Sequence, residues 1–201
     1  MKIYLLRLSL MTFIELIVQF PPLGAQQLVF NPVTPQEGIG AVKGIAQDKE
    51  GYMWFAATGL HRYDGYNFTS YKNDSSNSQS LGSNYLESIC IDHKGIIWVG
   101  TFDSGLDRFD PLTDVFTHFR YNSKDSTSLS NNSCTVIIED REGIIWVGTH
   151  GGLNRLDQKT GKFMRYQHKP IDSTSLSNDQ VRAMYEDRQG ILWEFVIQLP
   201  S

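Results

Sequence analysis

The sequence predicts an all-β fold built from repeated four-stranded units. One phrase occurs as AQDKEGYMWFAAT from Ala46, CIDHKGIIWVGT from Cys90, IEDREGIIWVGT from Ile138 and YEDRQGILW from Tyr185. The tryptophans of these copies are spaced 44, 48 and 47 residues apart, and short apolar runs separated by turn residues fill each interval. A period of about 40–50 residues with four strands per repeat is typical of β-propeller blades. We therefore expect blades of four antiparallel strands in an incomplete arc, three blades and part of a fourth.

The third repeat shows the strand pattern most clearly. Its apolar runs predict strands at 135–139, 144–148, 153–156 and 162–166, with polar or glycine-containing turns between them. Applied to all copies, this pattern places the blades at about 40–72, 84–121, 132–168 and 179–193, followed by an off-pattern tail. The predicted propeller region thus occupies residues 26–201.

Every copy has an Asp-x-x-Gly phrase between its first two strands. The pairs are Asp48/Gly51, Asp92/Gly95, Asp140/Gly143 and Asp187/Gly190. Aspartate accepts backbone N–H groups at the start of a tight turn, and glycine adopts positive φ at its end. We therefore interpret these carboxylates as turn formers and not as catalytic acids.

The tryptophan of each copy is predicted to fill the space between neighbouring blades. An aromatic cage for sugar stacking is the alternative, but identical placement in every repeat favours a core role. Trp98 and Trp146 are expected to be inter-blade core, whereas Trp193 lacks the strands that would cover it. The Ser-Leu pairs of the polar connectors predict one buried leucine under each connector: Leu81, Leu129 and Leu176.

A second repeated phrase, Gly-Leu-x-Arg-x-Asp, follows the tryptophan strand. In a β-strand, residues two apart share a face. The phrase therefore predicts structural ion pairs between Arg62 and Asp64, Arg108 and Asp110, and Arg155 and Asp157. Contact with a neighbouring blade is the alternative for these side chains.

The beginning of the chain resembles a targeting segment. Lys2 and Arg7 precede an apolar run, and small residues end at Ala25, which predicts a signal peptide at residues 1–25. An uncleaved membrane anchor is the alternative. Either leads to a periplasmic or extracytoplasmic location. The formal charge of −4 argues against nucleic acid as a partner.

The side chains that carry metal or redox chemistry form no recognisable pattern. Cys90 and Cys134 lie in apolar strands and are expected to be buried free thiols. The five histidines fall at unrelated repeat positions, without the spacing of a metal site. We therefore predict no cofactor and no metal.

The compound motif resembles the two-component regulator propeller repeat. The resemblance covers residues 28–193 and implies the outer sensor region of a hybrid histidine kinase, which often senses glycan fragments. The fourth copy departs from it after Trp193, where Glu-Phe-Val replaces Val-Gly-Thr. We therefore expect an N-terminal fragment, truncated or frame-shifted, whose membrane contact would depend on missing downstream segments or on the anchor. Residues 28–31 would be a closing strand.

The turns between the second and third strands differ among blades, which makes them candidates for ligand contact. Phe102, Asp103 and His150 are the predicted ligand-binding residues. The leading hypothesis is a binding module for a small molecule or oligosaccharide, with self-association through open blade faces. A propeller enzyme similar to streptogramin lyases and a gene fragment without function are the alternatives.

Overall fold

The computed structural model describes residues 38–196, so the predicted signal peptide and the proposed closing strand at 28–31 lie outside the described residues. Residues 38–196 form strands joined by turns and contain no helix. Accordingly, this part of the chain has no helix that could cross a membrane.

The strands form four antiparallel sheets, which we call blades 1 to 4. Blade 1 comprises β1 (Gly44–Gln47), β2 (Met53–Ala57), β3 (Gly59–Tyr63) and β4 (Phe68–Tyr71). Blade 2 comprises β5 (Leu86–Ile91), β6 (Ile97–Thr101), β7 (Leu106–Asp110) and β8 (Val115–Phe119). Blade 3 comprises β9 (Cys134–Glu139), β10 (Ile145–Thr149), β11 (Gly152–Asp157) and β12 (Lys162–Tyr166). Blade 4 has β13 (Val181–Glu186) and β14 (Leu192–Val196).

The strands follow chain order within each sheet, and every pairing is antiparallel. The first strands of successive blades, β1, β5, β9 and β13, pack against one another. They therefore form the inner edge of an arc whose outer strands lie further apart, as the propeller prediction requires. The predicted all-β, unclosed arc of three blades and part of a fourth is confirmed.

Each blade has a lower and an upper end, and the two ends carry different turns. The lower face carries the Asp-x-x-Gly turns. The upper face carries the turns between second and third strands together with three long connectors: connector 1 (residues 72–85), connector 2 (residues 120–133) and connector 3 (residues 167–180). Backbone hydrogen bonds join these upper-face elements, for example from Gly105 N to Asn132 O at 2.8 Å. The turns between second and third strands and the connectors therefore lie on the same face.

Alternate residues along the second strand of a blade pack into the hydrophobic clusters on its two sides. In β6, Ile97 and Val99 belong to the cluster between blades 1 and 2, and Trp98 belongs to the cluster between blades 2 and 3. Both faces of blade 2 are thus covered, and all five residues of β6 are buried. Trp54 occupies the same position in the first interface and is fully buried.

Tryptophan burial decreases along the arc. Trp98 is 2% exposed, Trp146 is half-buried and Trp193 is 60% exposed. The expectation that Trp193 is uncovered is correct, whereas full core burial of Trp146 is wrong. Trp146 faces blade 4, which has two strands among the described residues and therefore covers less of the indole.

The glycine of Val-Gly-Thr lets inner strands approach closely. A Cβ on Gly100 would lie 2.8 Å from Cys134 O, and one on Gly148 would lie 2.7 Å from a Val181 methyl. Phe195 occupies this register position in β14, opposite Ala183, and is 64% exposed. A phenyl side chain thus stands at the position where glycine lets the next first strand approach in blades 2 and 3.

Candidate functional site

The lower-face aspartates have their carboxylate oxygens engaged by the fold. Asp92 Oδ1 accepts the N–H groups of Lys94 and Ile96, both at 2.9 Å. Its Oδ2 accepts the indole N–H of Trp98 at 3.0 Å. The same indole bond occurs in the other copies, from Trp54 to Asp48, Trp146 to Asp140 and Trp193 to Asp187. The turn prediction is confirmed, and the sequence reasoning missed the bond to tryptophan.

The predicted Arg-Asp pairs are mostly wrong. Arg108 Nη2 lies 3.6 Å from Asp110 Oδ2, but neither Arg62 nor Arg155 forms an ion pair within the described range. The Arg62 guanidinium lies instead over the Tyr52 ring, 4.8 Å from its centroid. Each aspartate of the phrase accepts backbone N–H groups of the following turn, as Asp64 does from Tyr66 at 2.8 Å.

Side-chain contacts on the lower face instead join successive blades. In blade 3, Glu139 accepts the backbone N–H and the ring Nδ1 of His93 from blade 2. In blade 4, Glu186 accepts the backbone N–H of Arg141 at 2.9 Å and lies 2.6 Å from its Nε. These pairs explain why an acidic residue precedes the turn aspartate in blades 3 and 4.

Phe102 lies in a groove on the upper face between blades 1 and 2. Its ring is 55% exposed, and its backbone N–H donates to Tyr85 O at 2.8 Å. The groove has a volume of about 170 Å³ and is lined by Ala41, Lys43, Ala57, Thr58, Asn84, Tyr85, Leu86, Glu87 and Phe102. Asp103 is exposed and does not line it.

His150 lies on the upper turn of blade 3 and is not part of that groove. Its backbone N–H donates to Ser133 O at 3.1 Å, and its Nε2 is buried without a hydrogen-bond partner among the described residues. Burial lowers the pKa of His150, and the positive charge of Arg182 lowers it further, against the opposing effect of Glu87. The structure thus does not bring Phe102 and His150 into one cavity.

A β-bulge at the upper end of β5, β9 and β13 adds residues that sequence reasoning missed. The register shifts at Glu87, Thr135 and Arg182, each five residues before a turn aspartate. Lys43 occupies the same repeat position in blade 1. Bulges re-aim side chains and are common beside functional sites. The available signal was a position that holds Lys, Glu, Thr and Arg in otherwise similar copies.

The bulge positions carry opposite charges at the inner edge of the upper face. Lys43 Nζ lies 3.9 Å from Glu87 Oε1 across blades 1 and 2, with side chains 51% and 31% exposed. The Thr135 hydroxyl donates to Val181 O of blade 4 at 2.5 Å. Arg182 is exposed and forms no ion pair in the described part of the chain. These groups can recognise a polar ligand by hydrogen bonds.

The two cysteines are free, and Cys134 is buried while Cys90 is half-buried. Burial raises the pKa of Cys90 to about 11 and also raises that of Cys134. Thiols held protonated in this way are poor nucleophiles. Across residues 38–196, no group of three His, Cys, Asp or Glu side chains is arranged to hold a metal ion.

Comparison with known proteins agrees with this architecture. The family model described as "Two component regulator propeller" matches residues 80–103, 128–151 and 175–193. The extracellular domain of a B. thetaiotaomicron protein described as a hybrid two component system superposes with a TM-score of 0.70 at 33% identity. That match covers 78% of this chain and 22% of that chain, so the chain spans about a fifth of its length.

A more distant likeness concerns the fold alone. Virginiamycin B lyase from Staphylococcus aureus superposes with a TM-score of 0.56 at 15% identity, covering 83% of this chain and 59% of the lyase. No curated protein sequence matches the chain. The comparisons therefore agree on a propeller and include both a sensor domain and an enzyme.

Proposed function

The chain belongs to the two-component regulator propeller family, and from that premise we propose that its upper face binds ligand in an extracytoplasmic sensor. One observation carries the proposal: the Asp-x-x-Gly turns of the lower face repeat the same bond to the tryptophan indole in every blade, whereas the turns of the upper face change from blade to blade. Variation on a scaffold held constant is typical of binding surfaces. The relative's extracellular domain supports a location outside the cytoplasm for this chain.

The lower face is chemically occupied. Each turn aspartate accepts one or two backbone N–H groups and one indole N–H, which leaves its carboxylate little capacity for a ligand. The upper face differs in turn length and charge, from Thr58 alone in blade 1 to residues 102–105 in blade 2. The residue at the bulge position also differs between blades, as Glu87 and its blade 1 equivalent Lys43 illustrate. The residues of the upper face are therefore the ones expected to determine ligand specificity.

An oligosaccharide is the ligand class that fits the groove between blades 1 and 2. Phe102 and Tyr85 are 55% and 67% exposed and offer aromatic faces for stacking. Lys43 and Glu87 line the same groove and supply a donor and an acceptor for hydroxyl groups. A groove of about 170 Å³ is smaller than a typical drug-sized pocket of roughly 300–1,000 Å³. It would therefore hold one sugar unit of a longer chain.

The proposal is tested by calorimetric titration of the chain with a panel of neutral and acidic oligosaccharides. Phe102→Ala should weaken binding of any active oligosaccharide at least tenfold, because the stacking surface is removed. Tyr66→Ala is the matched control, since Tyr66 is 91% exposed on the lower-face turn of blade 1. Equal affinity in Phe102→Ala and wild type, or equal losses in the two variants, would contradict an upper-face site.

Lyase activity is the competing hypothesis. The likeness to virginiamycin B lyase concerns the fold. Both ring nitrogens of His61 and of His118 are hydrogen-bonded to other residues of the chain. We expect no cleavage when the chain is incubated with a streptogramin B substrate and followed by mass spectrometry. Product that accumulates with time, and that is lost when His61 or His118 is substituted, would instead support an enzyme.

A further inference from the structure

Connectors 1 and 2 pack in the same way against the outer half of the blade that follows each of them. Gln79 O of connector 1 accepts the Phe116 N–H of β8 at 3.1 Å. Thr127 O of connector 2 accepts the Phe163 N–H of β12 at 2.7 Å. The two contacts occupy equivalent positions, so each connector can serve as a reference for the other.

A buried polar residue at the variable position of Gly-Leu-x-Arg holds each connector. Asp107, fully buried on β7, accepts the Gly82 N–H of connector 1 at 2.6 Å. Asn154, fully buried on β11, accepts the Ser130 N–H of connector 2 at 2.9 Å. The chain thus uses a carboxylate at one connector and an amide at the other.

The cross-strand partners of these residues complete the contacts. Arg165, opposite Asn154, donates from Nε to Ser128 O at 2.7 Å and from Nη2 to Leu129 O at 2.9 Å. His118, opposite Asp107, has Nδ1 2.6 Å from Asp107 Oδ1 and Nε2 3.0 Å from Ser78 O. A guanidinium holds connector 2, and an imidazole holds connector 1.

Both partners of the His118 ring are acceptors. A carboxylate and a backbone carbonyl have no hydrogen to give, so each ring nitrogen must carry its own. An imidazole with hydrogens on both nitrogens is a cation. The contacts of His118 are therefore those of an imidazolium, paired with a fully buried carboxylate.

We propose that His118 is a pH-sensitive clamp on connector 1, whereas Arg165 holds connector 2 at every physiological pH. A neutral imidazole donates from one nitrogen, so deprotonation places a lone pair against Asp107 or Ser78 O. Connector 1 then loses one of its side-chain contacts. Asn84 and Tyr85, at the end of connector 1, line the upper-face groove. This wall of the groove therefore loosens as pH rises.

The surroundings of His118 fit this assignment. Its hydrogen bond to Asp107 raises the pKa of His118 above the ordinary 6.5, against burial and the Arg120 charge, which lower it. Asp107 and Arg120 are the charged groups that act on the ring. Because the folded-state pKa is raised, the stabilisation is complete below pH 6.5 and is lost as pH rises through the folded-state pKa.

His61 supplies a contrast at the position equivalent to Asp107. Its Nδ1 lies 2.8 Å from the Ser70 hydroxyl, which can donate, and its Nε2 lies 3.1 Å from Thr58 O. A neutral ring with hydrogen on Nε2 satisfies both contacts. Burial lowers the pKa of His61, in the opposite direction to that of His118.

NMR titration of the imidazole groups in the wild-type chain tests the protonation state. We expect His118 to titrate above pH 6.5 and His61 below it. Amide hydrogen exchange then tests the clamp, with Ser130 as the internal reference for Gly82. Protection of Gly82 relative to Ser130 should fall several-fold as His118 deprotonates. A His118 pKa at or below 6.5, or a constant ratio, would overturn the proposal.

His118→Arg places at connector 1 the residue type that holds connector 2. The variant should keep Gly82 protected and remove the pH dependence of the ratio, while His118→Gln should show low protection at all pH values. An unchanged pH dependence in His118→Arg would overturn the proposal. If neither variant folds, the wild-type titration and exchange ratio decide alone, because they need no substitution.

Discussion

The interface between blades 2 and 3 and the interface between blades 3 and 4 are built from the same repeat but reach different degrees of burial. In the former, Trp98 and Leu129 are almost completely buried. In the latter, the equivalent Trp146 and Leu176 are half-buried. The repeated side chains therefore do not determine burial alone, because a blade covers its neighbour as far as its own strands extend.

The difference is confined to the outer half of the interface. Val181 of β13 is fully buried against blade 3, so the inner part of the third interface is closed. Further out, Trp146, Tyr166, Leu176 and Leu192 line an open groove of about 440 Å³. The first two strands of blade 4 thus close the inner part, and no described strand covers the rest.

Tryptophan substitution should show the largest contrast between the interfaces. Trp98→Ala should lower the free energy of unfolding by about 3–5 kcal/mol, because it removes a buried aromatic side chain. Trp193→Ala should cost much less, since 60% of Trp193 is already exposed. Urea denaturation followed by circular dichroism measures both. Equal losses would mean that the solution structure covers Trp193, and Trp146→Ala should lie between the two.

Connector leucines give a second comparison. Leu129→Ala should cost about 2–5 kcal/mol, because Leu129 is fully buried between blades 2 and 3. Leu176→Ala, at the equivalent position beside blade 4, should cost less because water already reaches that side chain. The denaturation midpoints of the two variants check the order. A larger loss for Leu176→Ala would contradict the description of the third interface as partly open.

The turn aspartates provide the smallest expected effect. Asp92→Ala should cost about 1.5–3 kcal/mol, the usual range for a hydrogen bond to a charged group, because it leaves the buried Trp98 indole N–H unpaired. Asp187→Ala should cost less, since water can replace the carboxylate beside the exposed Trp193. Asp92→Asn keeps an acceptor and serves as the conservative control. Because asparagine has one acceptor oxygen where Asp92 uses two, a loss as large as that of Asp92→Ala would mean that the turn requires both carboxylate oxygens.

The second phrase of the repeat shows where sequence reasoning failed. Spacing placed Arg62 and Asp64 on one strand face, which suggested an ion pair. The turn after β3 instead offers backbone N–H groups to Asp64, while the Tyr52 ring lies beneath the Arg62 guanidinium. A two-residue spacing specifies that two side chains share a strand face, but it does not specify which of several nearby groups each side chain contacts.

The histidines show a similar limit. By sequence they occupy unrelated positions, yet His61 and Asp107 are equivalent, and His118 lies opposite Asp107. The proximity of His118 to Asp107 depends on the register between β7 and β8. The bulge residues Glu87 and Arg182 were missed for the same reason, since a bulge is a property of two strands.

The sequence by itself determined the repeat, the all-β class, the turn role of Asp92 and its equivalents, and the alternation that buries Trp98. These follow from local chemistry, since the period, the turn residues and the two-residue alternation act within a few positions of the chain. The tertiary structure decided how deeply Trp146 is buried, that Glu87 is re-aimed, and that His118 faces two acceptors. Each depends on groups far apart in the chain, and their distances and protonation states are set by the packing of one blade against the next.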